Sequence, residues 1–481
     1  MLFNSFQFLL FFPIVTIIYF LLPHKIRWLH LLLASCVFYM AFIPVYILIL
    51  FAVITIDYVS GIMIERLAGT KRAGFLALSI TANIGVLAFF KYCNFFIDNI
   101  NFVSQHAGSA GNIHLLKIIL PIGLSFHTFQ AISYTVEVYR GNQKAEKHFG
   151  IYALYVMFYP QLVAGPIERP QNMLHQFHEK KEFSYNNAVS GLRLMLWGVF
   201  KKVVIADTLA LVIDPVYNHP QSYSPLAILT VVFLFAYEIY CDFSGYTDIA
   251  LGAARVMGFT LMANFDYPFR SKSITEFWRR WHISLSSWFY DYLFNPLATR
   301  LRSSGKAGII FTLLITFFLS GLWHGAGWKF AIFGLIHGIA IVYEYLTRKQ
   351  RKKLFALLPH ALNNFISRIL TLSYVILSWV FFRAINIPDA LYILKQLPLS
   401  FINIFQLSKR PDTFLHQQPV AACFFLIVLL EIIHFWAKGN RIELFISNQP
   451  KILRWGIYLL LIFSILVFGT FDNKQFIYFQ F

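Results

Sequence analysis

The chain has 481 residues, 58% of them apolar and 13% charged, with phenylalanine at 53 positions. Average soluble domains carry about 25% charged residues, so this composition excludes a water-soluble globule. Forty Lys and Arg against 22 Asp and Glu leave a formal charge of +18, which among such apolar runs points to an anionic lipid surface and to no nucleic-acid partner.

A membrane helix needs about 20 mostly apolar residues. In chain order, such stretches fall near 3–22, 28–43, 45–64, 74–92, 116–138, 188–206, 225–250, 307–322, 328–346, 368–385, 419–437 and 452–471. They predict an all-α polytopic membrane protein of about ten to twelve transmembrane helices, joined by re-entrant and interfacial pieces. No second domain, repeat or linker is evident, so 1–481 reads as a single integral-membrane domain. The first stretch lacks a basic leader and a small-residue cleavage site, so it is expected to be a retained helix and not a signal peptide. Lys25 and Arg27, then Arg66, Lys71 and Arg72, then Arg140, Lys144 and Lys147 follow alternate spans, while no Lys or Arg lies between Tyr92 and Leu116 or between Ala206 and Ala254. The positive-inside rule then puts the N-terminus outside and the basic loops, including Arg348 to Lys353, in the cytoplasm. Cys36, Cys93, Cys241 and Cys423 stand far apart with no CxxC and no His/Cys cluster, so neither a disulfide framework nor a metal site is predicted.

Function is sought where polar groups interrupt apolar sequence, because such groups are costly to bury without partners. In Tyr159 to Pro170, three prolines and a glycine break the helical pattern near membrane depth. Broken backbone there must be buried in protein or line a wet cavity, unless the segment is a plain turn. Farther on, Glu238 and Asp242 share a helix face in an apolar run. Two such carboxylates could do acid–base work, hold a cation, or serve as structural partners for Arg270, Arg279 or Arg280.

The stretch Ser273-Ile274-Thr275-Glu276 is a capping-box pattern that starts a helix. On a helical wheel Trp278, Trp281, His282, Leu285, Trp288, Phe289 and Tyr292 form one aromatic arc, opposite Glu276, Arg279, Arg280, Ser287 and Asp291. The pattern predicts a continuous amphipathic interfacial helix with His282, the one ionisable group on that arc, facing protein or lipid. Finally, Ser320 to Trp328 sets His324 among Gly321, Gly325 and Gly327 and between Trp323 and Trp328. The glycines allow close backbone approach to a ligand, and a desolvated, neutral imidazole is what a general base must be. A core histidine at 282 and a Gly-rich turn at 320–328 are the structural alternatives.

Taken in order, Leu2-Phe3-Asn4-Ser5, Gly165-Pro166-Ile167-Glu168-Arg169-Pro170, Phe265 to Arg270 leading into Phe277-Trp278-Arg279-Arg280-Trp281-His282, Leu322-Trp323-His324-Gly325 and the ending Phe476 to Phe481 resemble the membrane-bound O-acyltransferase family. The likeness is to its bacterial branch, which acetylates alginate or D-alanylates teichoic acids, and it runs nearly end to end. It implies a helical shell around a thin funnelled core, in a bacterial inner membrane. It also implies a catalytic His324 with His282 as the second site residue, supported along the substrate channel by Trp323, Gly325, Trp328, Trp278, Trp281, Glu238, Asp242 and Arg270. No permanently bound cofactor or metal is expected. The donor would be an acyl thioester, acetyl-CoA or an acyl-carrier protein, and the acceptor a polysaccharide hydroxyl, reached directly or through a periplasmic acetyltransferase partner. A D-alanyl group or, in a different class, transport of a lipid-linked glycan are the alternatives. Without a G-x-S-x-G elbow in the sequence, direct transfer in a ternary complex is the simpler chemistry.

Overall fold

The computed structural model describes residues 1–108, 112–163, 165–404, 414, 419–437, 439, 441–470 and 476–477. Among the described residues all regular structure is helical, and eight helices are long and apolar enough to cross a membrane. These are Tyr46–Arg66, Gly69–His106, Pro225–Val256, Arg302–His324, Trp328–Leu346, His360–Arg383, Val420–Ala437 and Lys451–Phe468, with a shorter apolar helix at Phe6–Leu21. The all-α polytopic fold is thus as the hydropathy pattern predicts. Some predicted stretches take a different form. The region near 116–138 is irregular as far as the left-handed Gly123 and helical only from Leu124 to Arg140. The region near 188–206 passes from α-helix into a π-helical turn at Phe200–Ala206.

The chain forms two compact units, Met1–Met195 with Ile249–Met262, and Leu196–Asp248 with Ala263–Phe481. In the first unit, Ser5 caps the opening helix by accepting the Phe8 N–H at 3.2 Å. Buried Asp57 accepts Ser79 Oγ at 2.6 Å and the Asn83 amide at 2.9 Å, so a carboxylate inside one apolar helix is satisfied by the next helix along. The Pro-rich segment runs between the helices Phe149–Met157 and Pro170–His178. Its described apolar positions are buried, as broken backbone in apolar surroundings requires. Its Glu168 carboxylate accepts the Met262 N–H at 2.5 Å and the Asn172 amide at 2.6 Å. Burial pushes the Glu168 carboxyl up to about 7, against the opposing pull of the Met262 N–H, the Asn172 amide and the Arg169 charge.

In the second unit the helices Gly305–His324 and Trp328–Leu346 pack at very close range. A Cβ on Gly321 would lie 2.9 Å from the Gly334 Cα and meet the Phe330 carbonyl, so both glycines serve the approach of the two backbones. On Lys451–Phe468 the apolar surface faces outward, with Ile452 90% and Leu466 71% exposed, a surface compatible with lipid and not with water.

Candidate active site

The predicted continuous helix through His282 is in fact two short helices, Ile274–Arg280 and Ile283–Phe289. Ser273 does cap the first, its side chain accepting the Glu276 N–H at 3.0 Å. The Glu344 carboxylate fills the same terminus, accepting the Ile274 and Thr275 N–H groups at 2.7 and 3.0 Å. Trp281 then ends the helix and His282 takes φ 44°, ψ 55°, the left-handed region that costs a side-chain-bearing residue about 1–2 kcal/mol. Asn264 holds the kink: its carbonyl accepts the Ile283 N–H at 3.0 Å, and its side-chain oxygen accepts the Ser284 N–H and hydroxyl at 3.2 and 2.6 Å. A wheel with a 100° step therefore does not describe this segment, and of the two surroundings it allows for His282, protein or lipid, the structure shows protein. The kink sends His282 fully into the core, where desolvation pushes the imidazole down to about 3, so it is neutral at physiological pH.

His324 ends the helix Gly305–His324 and is buried. The two histidines share one neighbour: the Trp323 ring stands edge-on to both, at 5.9 Å from His282 and 5.0 Å from His324. The Phe243 ring lies 4.6 Å from His282, and the Phe382 and Phe333 rings lie 5.4 and 5.9 Å from His324. Trp278 stands 6.5 Å from Phe333, so one phenylalanine ring borders both His324 and the tryptophan four residues before His282. Trp281 is buried beneath, packed on Trp379 at 5.0 Å. The result is a cage of aromatic edges around two imidazoles, a low-dielectric setting in which hydrogen bonds made to a reacting group are strong.

Other predicted residues fall elsewhere. Trp328 is 53% exposed and does not wall His324; it opens the next helix instead. A Cβ on Gly325 would run into the Phe330 ring, so that glycine admits an aromatic side chain, not a ligand. Asp242 does not pair with Arg270, Arg279 or Arg280: it forms an ion pair with Lys202 at 2.5 Å, and Lys202 also pairs with Asp207 at 2.9 Å. Asp242 further accepts the Ile477 N–H at 2.8 Å, and the neighbouring Phe476 stacks on Tyr246 at 5.0 Å and touches Phe243 at 5.5 Å. Residues 478–481, the rest of the ending that carries the family likeness, lie outside the described residues. Glu238 is buried one turn before Asp242, its Oε2 without a hydrogen bond among the described residues. Arg270 donates to the His434 carbonyl at 2.7 Å and lies over the Tyr267 ring. Arg280 pairs with Glu276 and Asp266, both at 3.0 Å.

Sequence reasoning missed Lys201 and Lys202, which were read as part of a span. Two adjacent lysines inside apolar sequence were the available signal, since buried cations need carboxylates, and Lys201 pairs with Asp248 at 2.8 Å. It also missed two cavities beside the kinked segment. A basic one of about 1060 Å³ is bordered by Arg279, Arg302, Lys306, Arg348 and Arg351, with Glu344 among them. An apolar one of about 530 Å³ shares Thr275, Arg279, Phe294, Leu313 and Ile341 with it and continues to Trp278 and Ser320, the latter one turn before His324. Among the described residues no three His, Cys, Asp or Glu side chains gather to hold a metal ion.

Residues 148–386 match the membrane-bound O-acyltransferase family, a segment that holds both histidines and all the residues that line the two cavities. The chain is 33% identical to the peptidoglycan O-acetyltransferase of Helicobacter pylori, over 94% of this chain and 91% of that protein. It is 38% identical to the probable alginate O-acetylase of Pseudomonas aeruginosa, over 81% and 73%. The teichoic acid D-alanyltransferase of Streptococcus thermophilus is 28% identical over 48% and 58%. With likeness of this extent over nearly the whole length, the chain belongs to the membrane-bound O-acyltransferase family and is an acyltransferase.

Proposed function

We propose that this acyltransferase moves an acetyl group from a cytoplasmic thioester toward hydroxyls of an extracytoplasmic polysaccharide, directly or by way of a periplasmic acetyltransferase partner. The observation that carries the reading is the pair of buried imidazoles that both touch the Trp323 ring, with Ile283 and Ser320, close to them in the chain, bordering an apolar cavity that has a basic neighbour. In the chemistry proposed, the acceptor oxygen attacks the thioester carbonyl, its proton passes to neutral His324, the carbon–sulfur bond breaks, and the thiolate leaves with a proton. His282 orients the acyl group or donates to the developing oxyanion. Arg302, Lys306, Arg348 and Arg351 would receive the phosphates of the donor, and their cytoplasmic placement follows from the Lys and Arg asymmetry of the loops in a bacterial inner membrane. The greater extent of likeness to the two O-acetylating relatives favours acetate over D-alanine.

The test is acetyl transfer across sealed membrane vesicles loaded with labelled acetyl-CoA, with polysaccharide supplied on the outer face. Label on the outer polymer that depends on the chain supports the reading. Label only from a D-alanyl carrier supports the teichoic-acid alternative. Loss of surface polymer itself, with acetylation of the remainder unchanged, would contradict acyl transfer.

A further inference from the structure

We propose that His337 is a positioning residue for the transfer reaction: its Nδ1 accepts the Trp278 indole N–H and so braces the short helix that delivers His282. The inference rests on the reading above that His282 acts at the reaction centre, and it gives a role to an imidazole that the transfer chemistry leaves unused. His337 lies on Trp328–Leu346 and is fully buried. Its Nε2 stands 2.8 Å from the Ser378 hydroxyl oxygen, which is also 2.7 Å from the Val375 carbonyl. A carbonyl can only accept, so the single hydroxyl hydrogen goes to Val375, and Nε2 supplies the hydrogen between ring and hydroxyl. In the neutral imidazole this leaves Nδ1 as a bare acceptor.

That Nδ1 is buried and has no hydrogen-bond partner among the described residues. The rings of Phe277, Trp278, Phe333 and Tyr374 border the imidazole. Tyr374 spends its hydroxyl hydrogen on the Ile336 carbonyl at 2.7 Å. Of these four rings, Trp278 then has the hydrogen to give, and its Nε1 is likewise buried and unmatched among the described residues. The two rings stand 5.1 Å apart at an interplanar angle of 87°. Closing the pair takes a turn of the indole about a soft terminal torsion, and it matches a buried donor and a buried acceptor at once. Trp278 sits one turn before His282, on Ile274–Arg280. Asn264 holds the chain just after His282, so the Trp278–His337–Ser378 line would hold it just before, by tying that helix to Trp328–Leu346 and His360–Arg383.

The experiment uses the full chain in lipid nanodiscs. His337→Asn keeps an acceptor near the Nδ1 position but leaves a hole, whereas His337→Phe keeps a ring and offers no acceptor. Each is read for melting temperature and for kcat and donor KM in acetyl transfer from acetyl-CoA. His337→Phe should melt the higher of the two yet lose about tenfold in kcat at unchanged KM, while His337→Asn should melt lower and keep kcat within about threefold of wild type. In a Trp278→Phe background that difference in kcat should vanish. A second readout needs no activity: with ¹⁵N-labelled tryptophan, the Trp278 indole resonance, assigned by its absence in Trp278→Phe, should move upfield in His337→Phe and stay near its wild-type position in His337→Asn. If kcat instead follows melting temperature in the two variants, or the resonance is the same in wild type and His337→Phe, His337 only packs and the proposal is overturned. Unchanged transfer by His282→Ala would remove the reading of His282, and the positioning role with it, even where the indole resonance reports the bond.

Discussion

The Pro-rich turn around Glu168 and the kink at His282 both break helices in apolar surroundings, and different neighbours surround the two breaks. Glu168 is met by hydrogen-bond donors, the Met262 N–H and the Asn172 amide. His282 is met by ring edges, from Phe243 and Trp323. Donors placed on a buried carboxyl group turn a broken helix into architecture, whereas aromatic edges exclude water and keep the imidazole neutral. The contrast teaches that loss of Glu168 should appear in stability and loss of the histidines in turnover.

The largest expected effect is on turnover. His324→Ala should lower acyl transfer by about 10²–10⁴-fold while the protein inserts and melts near wild type. Adding His282→Ala should lower it little further, because residues that act as one unit are not additive. Full additivity of the two losses in a transfer assay would break the shared-centre account.

The second effect separates conformation from chemistry at His282. Glycine tolerates φ 44° without the penalty a side chain meets, so His282→Gly should melt higher than His282→Ala by the equivalent of about 1 kcal/mol. Both should lack activity. Activity regained in the glycine variant would reduce His282 to a residue that only shapes the chain.

How much of this was legible beforehand follows from the kind of interaction involved. Span positions and the burial of the two histidines among aromatic rings could be read, because hydropathy and an ionisable residue among tryptophans are local signals. The kink could not, since Asn264, eighteen positions before His282, fixes it through hydrogen bonds that no periodicity reports. Nor could the partner of Asp242: Lys202 lies forty positions upstream, and only the folded chain sets the two side by side. Gly325 and Trp328 were misplaced because a Gly- and Trp-rich motif looks the same whether an aromatic ring of the protein or a ligand fills the space.

Glu168→Ala should destabilise by about 1–3 kcal/mol, because the Met262 N–H and the Asn172 amide lose their acceptor in a buried place, and denaturation in detergent should report it. Glu168→Gln should cost less and change the pH dependence. The folded carboxyl is raised to about 7, so its contribution is fully present below the ordinary carboxyl range near 4.5 and is lost as pH rises toward 7. His282 has the opposite sign. Its folded value is lowered to about 3, so stability is present above about 6.5 and is lost as pH falls toward 3. Relative to wild type, Glu168→Gln should therefore gain stability as pH rises from 4.5 to 7, and His282→Asn should gain as pH falls from 6.5. Parallel curves for the two variants would erase the distinction between the two breaks.

The central claim is that His324 accepts the acceptor's proton, and single-turnover transfer from a pre-bound labelled acetyl donor tests it most directly, with wild type and His324→Gln compared at equal donor occupancy. Glutamine keeps polarity and hydrogen bonding but cannot take up a proton near neutral pH, so transfer should fall by about 10²–10⁴-fold while donor binding is unchanged. Near-normal transfer by His324→Gln would contradict the claim and move the base to His282 or to Glu238 and Asp242.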